Sequence, residues 1–120
     1  MFVKNIDQCH AFTANDGCTI REWLHPENDP IELPYSVAEA VVEVGQSSYK
    51  HKLKQTELYL ILSGQGNIHV DEETKLVKTG DCIVIPSESI QWIENVGNEQ
   101  LRFLALVNPP WSEKDDIRIK

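Results

Sequence analysis

The sequence predicts an all-β fold, either a barrel or a sandwich built from short strands. Runs rich in Val, Ile, Leu and aromatic residues recur at intervals of roughly 8–12 residues, a spacing typical of such folds. Gly-containing turns separate the runs, and no stretch carries a convincing helical period. The 120 residues correspond to one domain, which is long enough to bury a substantial core.

The sequence of the N-terminal part predicts an arm that is followed by one strand. Residues 1–12 show no clean period, and we expect them to form an extended arm. The Asn-Asp-Gly sequence at 15–17 predicts a turn. The β-branched and aromatic residues of 18–24 predict a strand. A His-Pro pair ends this strand, and the proline-rich stretch that follows predicts a loop.

Residues 35–44 are ambiguous because their alanines and glutamates favour a helix. The stretch is short and lacks a capping box, however. Its even positions from Ala38 to Val44 are all apolar, whereas Glu39 and Glu43 lie at odd positions. This period of two favours a strand.

Six further strands are predicted in the C-terminal two-thirds of the chain. The runs at 57–62 and 82–85 are apolar on both faces, so we expect both strands to be fully buried. The other predicted strands are 67–70, 74–77, 91–95 and 101–107. Residues 112–120 are highly charged and predict a tail that contains at most a short helical turn.

The charge balance narrows the range of functions. The 19 acidic and 11 basic side chains give a net charge of −8, which argues against nucleic acid and anionic membrane surfaces as partners. No apolar run approaches the ~20 residues of a membrane span, and the start lacks a signal-peptide core. We therefore expect a cytoplasmic protein. Its three cysteines, Cys9, Cys18 and Cys82, form no CxxC pair and predict buried, reduced thiols.

One stretch of the chain places a histidine and a carboxylate next to an apolar strand. Such groups are ligands for divalent metals. The stretch resembles the first motif of the cupin superfamily, G(X)5HXH(X)3–4E(X)6G. Gly45, His51, Glu57 and Gly64 stand at its spacing, and Leu53 occupies the position of the second histidine.

A second stretch resembles the other cupin motif, G(X)5PXG(X)2H(X)3N. Gly80, Pro86 and Asn95 match it, whereas Glu88 replaces the glycine and Gln91 replaces the histidine. Two motifs in the right order imply the cupin-type double-stranded β-helix, or jelly-roll barrel, for the whole chain. The resemblance also implies a homodimer.

Carried over to this chain, the cupin metal site is reduced to His51, Glu57 and Gln91. One imidazole, one carboxylate and one amide oxygen would suit Fe, Mn, Ni or Zn. The resemblance thus implies a dioxygenase-like or sugar isomerase/epimerase-like activity on a small polar molecule. The alternative is a metal-free module that binds a small ligand without catalysis, since Leu53 has taken the place of a ligand.

Other side chains share faces with these residues and are candidates for substrate binding. Tyr59 shares a strand face with Glu57, and Ile93 shares one with Gln91. We therefore expect Tyr59, Leu53 and Ile93 to form the pocket wall. Tyr59 and Glu22 are candidates for proton transfer. His25 could replace the missing metal ligand, but a structural role in its loop is favoured.

Overall fold

The chain folds into two antiparallel β-sheets, and the predicted all-β class is confirmed. The structure is a computed structural model that describes residues 1–13 and 18–119. The turn predicted at 15–17 lies outside these residues. None of the helices in the described ranges is long and apolar enough to cross a membrane.

Eleven strands and two short 3-10 helices occur within the described residues. The strands are β1 (Ala11–Thr13), β2 (Thr19–Leu24), β3 (Ser36–Val42), β4 (His51–Leu53), β5 (Thr56–Ser63), β6 (Gln65–Val70), β7 (Glu73–Lys78), β8 (Cys82–Ile85), β9 (Ile90–Asn95), β10 (Leu101–Asn108) and β11 (Asp116–Arg118). The 3-10 helices are Ile6–Gln8 and Glu113–Asp115. The strand order is β1-β2-β3-β10-β5-β8 in the first sheet and β11-β4-β9-β6-β7 in the second.

The core lies between the two sheets because each strand turns one face inward. On β9, Gln91, Ile93 and Asn95 are buried, whereas Trp92 and Glu94 are half-buried on the outer face. This alternation confirms the face that the sequence predicts for these residues. The same period operates on the other central strands, so side chains from both sheets form one apolar cluster.

The motif glycines and the motif asparagine form turns and hold strands together. Gly64 has a φ of +88°, and a Cβ there would stand 2.7 Å from the Gln100 carbonyl oxygen. The side-chain amide of Asn95 donates to the carbonyl oxygens of Val42 (2.9 Å) and Glu99 (2.8 Å). These residues therefore serve the fold.

Glu88, at the glycine position of the second motif, has a left-handed backbone conformation. Its φ is +70°, in the left-handed region that glycine adopts easily and other residues adopt at a cost. Its amide donates to the Leu53 carbonyl oxygen at 2.9 Å, which ties the turn to β4.

The prediction that β5 and β8 are buried on both faces is wrong. Leu60 is 37% exposed and Val84 is 65% exposed, because the outer face of the first sheet is uncovered and β8 is its edge strand. The prediction of buried thiols holds only for Cys18, since Cys9 is half-buried and Cys82 is exposed. None of the three cysteines forms a disulfide within the described part of the chain.

The C-terminal segment forms part of the second sheet. The helical turn expected there is the 3-10 helix Glu113–Asp115, and it is followed by β11, which sequence reasoning did not predict. β11 pairs antiparallel with β4, and this register places Asp116 opposite Leu53 and Arg118 opposite His51. The pairing gives β11 a fixed position at the barrel wall.

Candidate functional site

A cavity of about 220 Å³ opens inside the barrel. Much of its wall is apolar and comes from the inner face of the first sheet, including Ile20, Ala40, Val42, Phe103 and Val107. Its carboxylate, imidazole and phenol groups belong to Glu22, Tyr49, His51, Glu57, Tyr59 and Asp116. The cavity therefore joins a few polar groups to an otherwise apolar space, as is usual for small-molecule sites.

Glu57 is the buried carboxylate of this cavity. It lies on the inner face of β5, and only 7% of the residue is exposed. Burial raises its pKa from 4.5 to about 7, and the nearby Asp116 carboxylate adds to the rise, whereas a hydrogen bond from Gln91 opposes it. No described group donates a hydrogen bond to Glu57 Oε1. The carboxyl therefore titrates near neutral pH with one oxygen unpartnered.

A chain of two hydrogen bonds links Tyr59, Gln91 and Glu57. The Tyr59 hydroxyl donates to Gln91 Oε1 at 2.9 Å, and the Gln91 side-chain amide donates to the Glu57 carboxylate. Burial raises the pKa of Tyr59 well above its usual range, so its hydroxyl remains protonated and acts as a donor. Gln91 is 1% exposed and is not part of the cavity wall.

His51 and Asp116 form the second polar group of the cavity. His51 Nδ1 lies 3.7 Å from Asp116 Oδ1. The Tyr49 ring meets the His51 imidazole edge-on, with 4.8 Å between ring centroids. Asp116 Oδ2 accepts hydrogen bonds from the Tyr49 hydroxyl (3.2 Å) and the Trp111 indole N–H (3.0 Å). The imidazole is thus held between a carboxylate and an aromatic ring.

Sequence reasoning missed Asp116, Tyr49 and Trp111. Asp116 lies 65 residues after His51 and becomes its neighbour only because β11 pairs with β4. Two signals were present in the sequence, an aromatic residue two positions before the motif histidine and a tryptophan ahead of paired aspartates near the end. Neither signal indicates a register without the sheet.

The structure places the remaining candidate residues as follows. Tyr59 and Glu22 line the cavity, and the Glu22 carboxylate accepts a hydrogen bond from the Asn28 side chain. Leu53 is 2% exposed and Ile93 is 0% exposed, and neither belongs to the cavity wall. Both lie in the packed core, so their predicted contact with a substrate stays a prediction.

His25 has the structural role that the sequence favours. It is 4% exposed, and its Nε2 lies 2.8 Å from the Trp111 carbonyl oxygen. Its Nδ1 accepts a hydrogen bond from the Glu27 amide at 3.1 Å. Both ring nitrogens are therefore engaged by backbone groups, and His25 connects the loop after β2 to the C-terminal segment.

The three residues predicted as metal ligands do not fit a metal centre as they are arranged. Gln91 presents its amide N–H to Glu57, and an N–H donor cannot coordinate a cation. Its Oε1 already accepts the Tyr59 hydroxyl. Within residues 1–13 and 18–119, no three His, Cys, Asp or Glu side chains lie close enough together to hold a metal ion.

The sequence matches a known family and a known protein. The cupin domain model matches residues 38–107. The uncharacterized protein MJ1618 of Methanocaldococcus jannaschii is 41% identical over 110 residues, which cover 91% of this chain and 87% of that protein.

Two solved structures show the same fold. One is a predicted oxalate decarboxylase from Thermotoga maritima, with a TM-score of 0.77 and 25% identity over 90% of this chain and 99% of that one. The other is a single-substitution variant of Streptomyces PAC13 with uridine, with a TM-score of 0.80 and 14% identity over 100% of this chain and 92% of that one. The motifs, the barrel and these matches agree that the chain belongs to the cupin family.

Proposed function

We propose that this cupin is a small-molecule enzyme in which Glu57 transfers a proton to and from a substrate held in the barrel. The observation that carries the proposal is the Glu57 carboxyl, which is buried at the cavity wall with one unpartnered oxygen and a pKa of about 7. General acid–base catalysis is most efficient when the pKa lies near the working pH. Both protonation states of Glu57 are then available.

The surrounding groups hold Glu57 and orient the substrate. Gln91 and Tyr59 position the carboxylate and do not themselves exchange protons, because the Tyr59 hydroxyl is already committed to Gln91. His51, backed by Asp116, provides a second group that can donate or accept a hydrogen bond within the same cavity. A carboxyl and an imidazole in one apolar space suit isomerisation, epimerisation or loss of water.

The barrel of the solved relatives is compatible with such chemistry. PAC13 is described as a nucleoside dehydratase and has been crystallised with uridine. At 14–15% identity these proteins share the fold with this chain, so the reaction of PAC13 is only an example of what the scaffold can host. The proposal for this chain rests on Glu57.

Isotope exchange and direct titration test the proposal. In D₂O, incubation with a pool of small metabolites should introduce deuterium into the substrate with wild-type protein and not with Glu57→Gln. Carbon-13 NMR of labelled glutamate should show one carboxyl that titrates near pH 7 and is lost in the variant. A Glu57 signal that titrates below pH 5 would remove the basis of the proposal.

Metal binding by His51, Glu57 and Gln91 is the second candidate. It is supported by family resemblance and by two buried carboxylate oxygens, on Glu57 and Asp116, that lack donors. Gln91 would have to turn its oxygen toward the metal. Metal analysis of protein purified without chelator decides between the candidates. Stoichiometric metal in wild type, absent from His51→Ala, would replace the acid–base proposal.

We propose a homodimer as well, in line with the resemblance to cupins. The exposed apolar side chains Leu60 and Val84 support it, since they lie close together on the outer face of the first sheet. Light scattering should give twice the chain mass for wild type and the chain mass for Val84→Lys. A monomeric wild type at micromolar concentration contradicts the proposal.

A further inference from the structure

Carboxyl groups outnumber basic side chains among the described residues of the cavity wall. Its carboxylates belong to Glu22, Glu57 and Asp116, and no described lysine or arginine lines it. His51 is the one group that could become positive, and its neighbour within 3.7 Å is Asp116. Among the described lining residues, three carboxyl groups thus stand against one imidazole.

Two buried oxygens of this wall lack hydrogen-bond donors. Glu57 Oε1 and Asp116 Oδ1 have no hydrogen-bond partner in the described structure, although the Glu57 residue is 7% exposed and the Asp116 side chain is 9% exposed. Buried carboxylate oxygens are normally satisfied, and leaving them unsatisfied is costly. A ligand with N–H or O–H groups would supply the donors that these oxygens lack.

The rest of the cavity favours an apolar body of modest size. The apolar part of the wall includes Phe103, Ala40 and Val42, which lie on the inner face of the first sheet. A volume of about 220 Å³ is below the roughly 300–1,000 Å³ of pockets for drug-sized ligands. One ring with a short polar group fills a space of this kind.

From these three observations we infer that the cavity binds a small, largely apolar molecule whose polar end donates hydrogen bonds and is neutral or positively charged, such as an amide, an amine or an amidine. Carboxylates should bind weakly, because their charge would face the Glu57 and Asp116 carboxyl groups on a wall that no described lysine or arginine lines. The inference concerns the same site as the proposed function and deepens it by naming a substrate class. It separates this chain from the predicted oxalate decarboxylase with which it shares its fold, since oxalate is a dianion.

Three probes of nearly identical shape test the charge preference. Benzamidine is a cation, benzamide is neutral and benzoate is an anion, and each is small enough for the cavity. By calorimetry at pH 8 on chelator-treated protein, benzamidine should bind roughly tenfold more tightly than benzamide, because hydrogen bonds to a charged partner are stronger. Benzoate and oxalate should bind at least roughly tenfold more weakly than benzamide.

Matched variants locate the preference in the cavity. Glu57→Gln and Asp116→Asn should each reduce the advantage of benzamidine over benzamide, whereas Glu72→Gln, which removes the same charge from an exposed turn, should leave it unchanged. Circular dichroism confirms that each variant is folded. If one cavity variant fails to fold, the other still provides the comparison.

Three results would overturn the inference. They are tighter binding of benzoate or oxalate than of benzamide, an unchanged benzamidine advantage in a folded cavity variant, and oxalate binding that appears only when Mn²⁺ is added. The last result would support the metal alternative. If benzamidine is preferred while Glu57 titrates below pH 5, the inferred ligand class stands and the acid–base proposal fails. If Glu57 titrates near pH 7 while benzamidine is not preferred, the acid–base proposal stands and the ligand class fails.

Discussion

Two buried glutamates of this barrel have opposite surroundings. Glu39 on β3 is 4% exposed, and its Oε2 lies 3.0 Å from Arg102 Nη2 on β10. Glu57 on β5 is 7% exposed and receives its hydrogen bond from a neutral amide. The same residue type at similar burial is thus an ion-pair partner at one place and a protonatable group in a cavity at the other.

The comparison shows that burial alone does not make a carboxyl functional. An arginine partner offsets the cost of removing a carboxylate from water, and such a pair links two strands. Without a cation, the carboxyl holds its proton to higher pH and is available to a ligand. The four predictions below test this difference, beginning with the largest expected effect.

The pH dependence of stability should separate Glu57 from Glu39. The pKa of Glu57 is raised from 4.5 to about 7 in the folded state, so the folded protein keeps a proton that the unfolded chain releases. Its contribution is therefore complete below about pH 4.5 and is lost as the pH rises to about 7, a loss of roughly 3 kcal/mol in unfolding free energy. Urea unfolding between pH 4.5 and pH 8 measures this loss.

Glu57→Gln should remove this contribution, whereas Glu39→Gln should retain it. The two variants lose the same charge and keep nearly the same volume. If both flatten the pH profile equally, the distinction between the two glutamates is lost.

Removing the cation from Glu39 should make it resemble Glu57. Arg102→Met leaves a buried carboxylate without its partner, and we expect a destabilisation of about 2 kcal/mol at pH 8. The destabilisation should be smaller at pH 5, since protonation relieves an unpaired carboxylate. Equal losses at both pH values would mean that lost packing of the arginine stem, and not its charge, explains the effect.

Tyr59→Phe should disturb the support of Glu57 while keeping the aromatic ring. The ring packs against Phe103 with 4.4 Å between centroids, and this contact remains in the variant. The buried Gln91 Oε1 loses its donor, which should cost about 1 kcal/mol of stability. Chemical denaturation measures the cost, with Tyr35→Phe, outside the cavity wall, as the control. A Tyr59→Phe variant with the same unfolding free energy as wild type would argue against the hydrogen-bond chain.

Asp116→Asn should have the smallest effect on stability and a specific effect on titration. The Asp116 charge raises the pKa of Glu57, so its removal should lower that pKa. The hydrogen bonds from Tyr49 and Trp111 can be kept by the amide oxygen. Carbon-13 NMR titration of Glu57 checks the shift, and a pKa that stays the same or rises would contradict the assigned role of Asp116.

Much of the fold could be predicted because it depends on local patterns. The alternation on 35–44 predicts β3, and the parity of Gln91, Ile93 and Asn95 predicts the inner face of β9. The exposure of the outer faces of β5 and β8 could not be predicted from such local patterns. Apolar residues on both faces indicate a covered strand, but nothing in the described structure packs over the outer side of Leu60 and Val84.

The sequence by itself determined the two motifs, the barrel and the position of Glu57 on an inward face, since a period of two depends only on neighbouring residues. Only the tertiary structure decided what Glu57 faces. Its raised pKa depends on Gln91 and Asp116, which lie 34 and 59 residues away along the chain and approach it through sheet pairing. Electrostatic surroundings are set by distance in space, and distance along the chain does not reveal them.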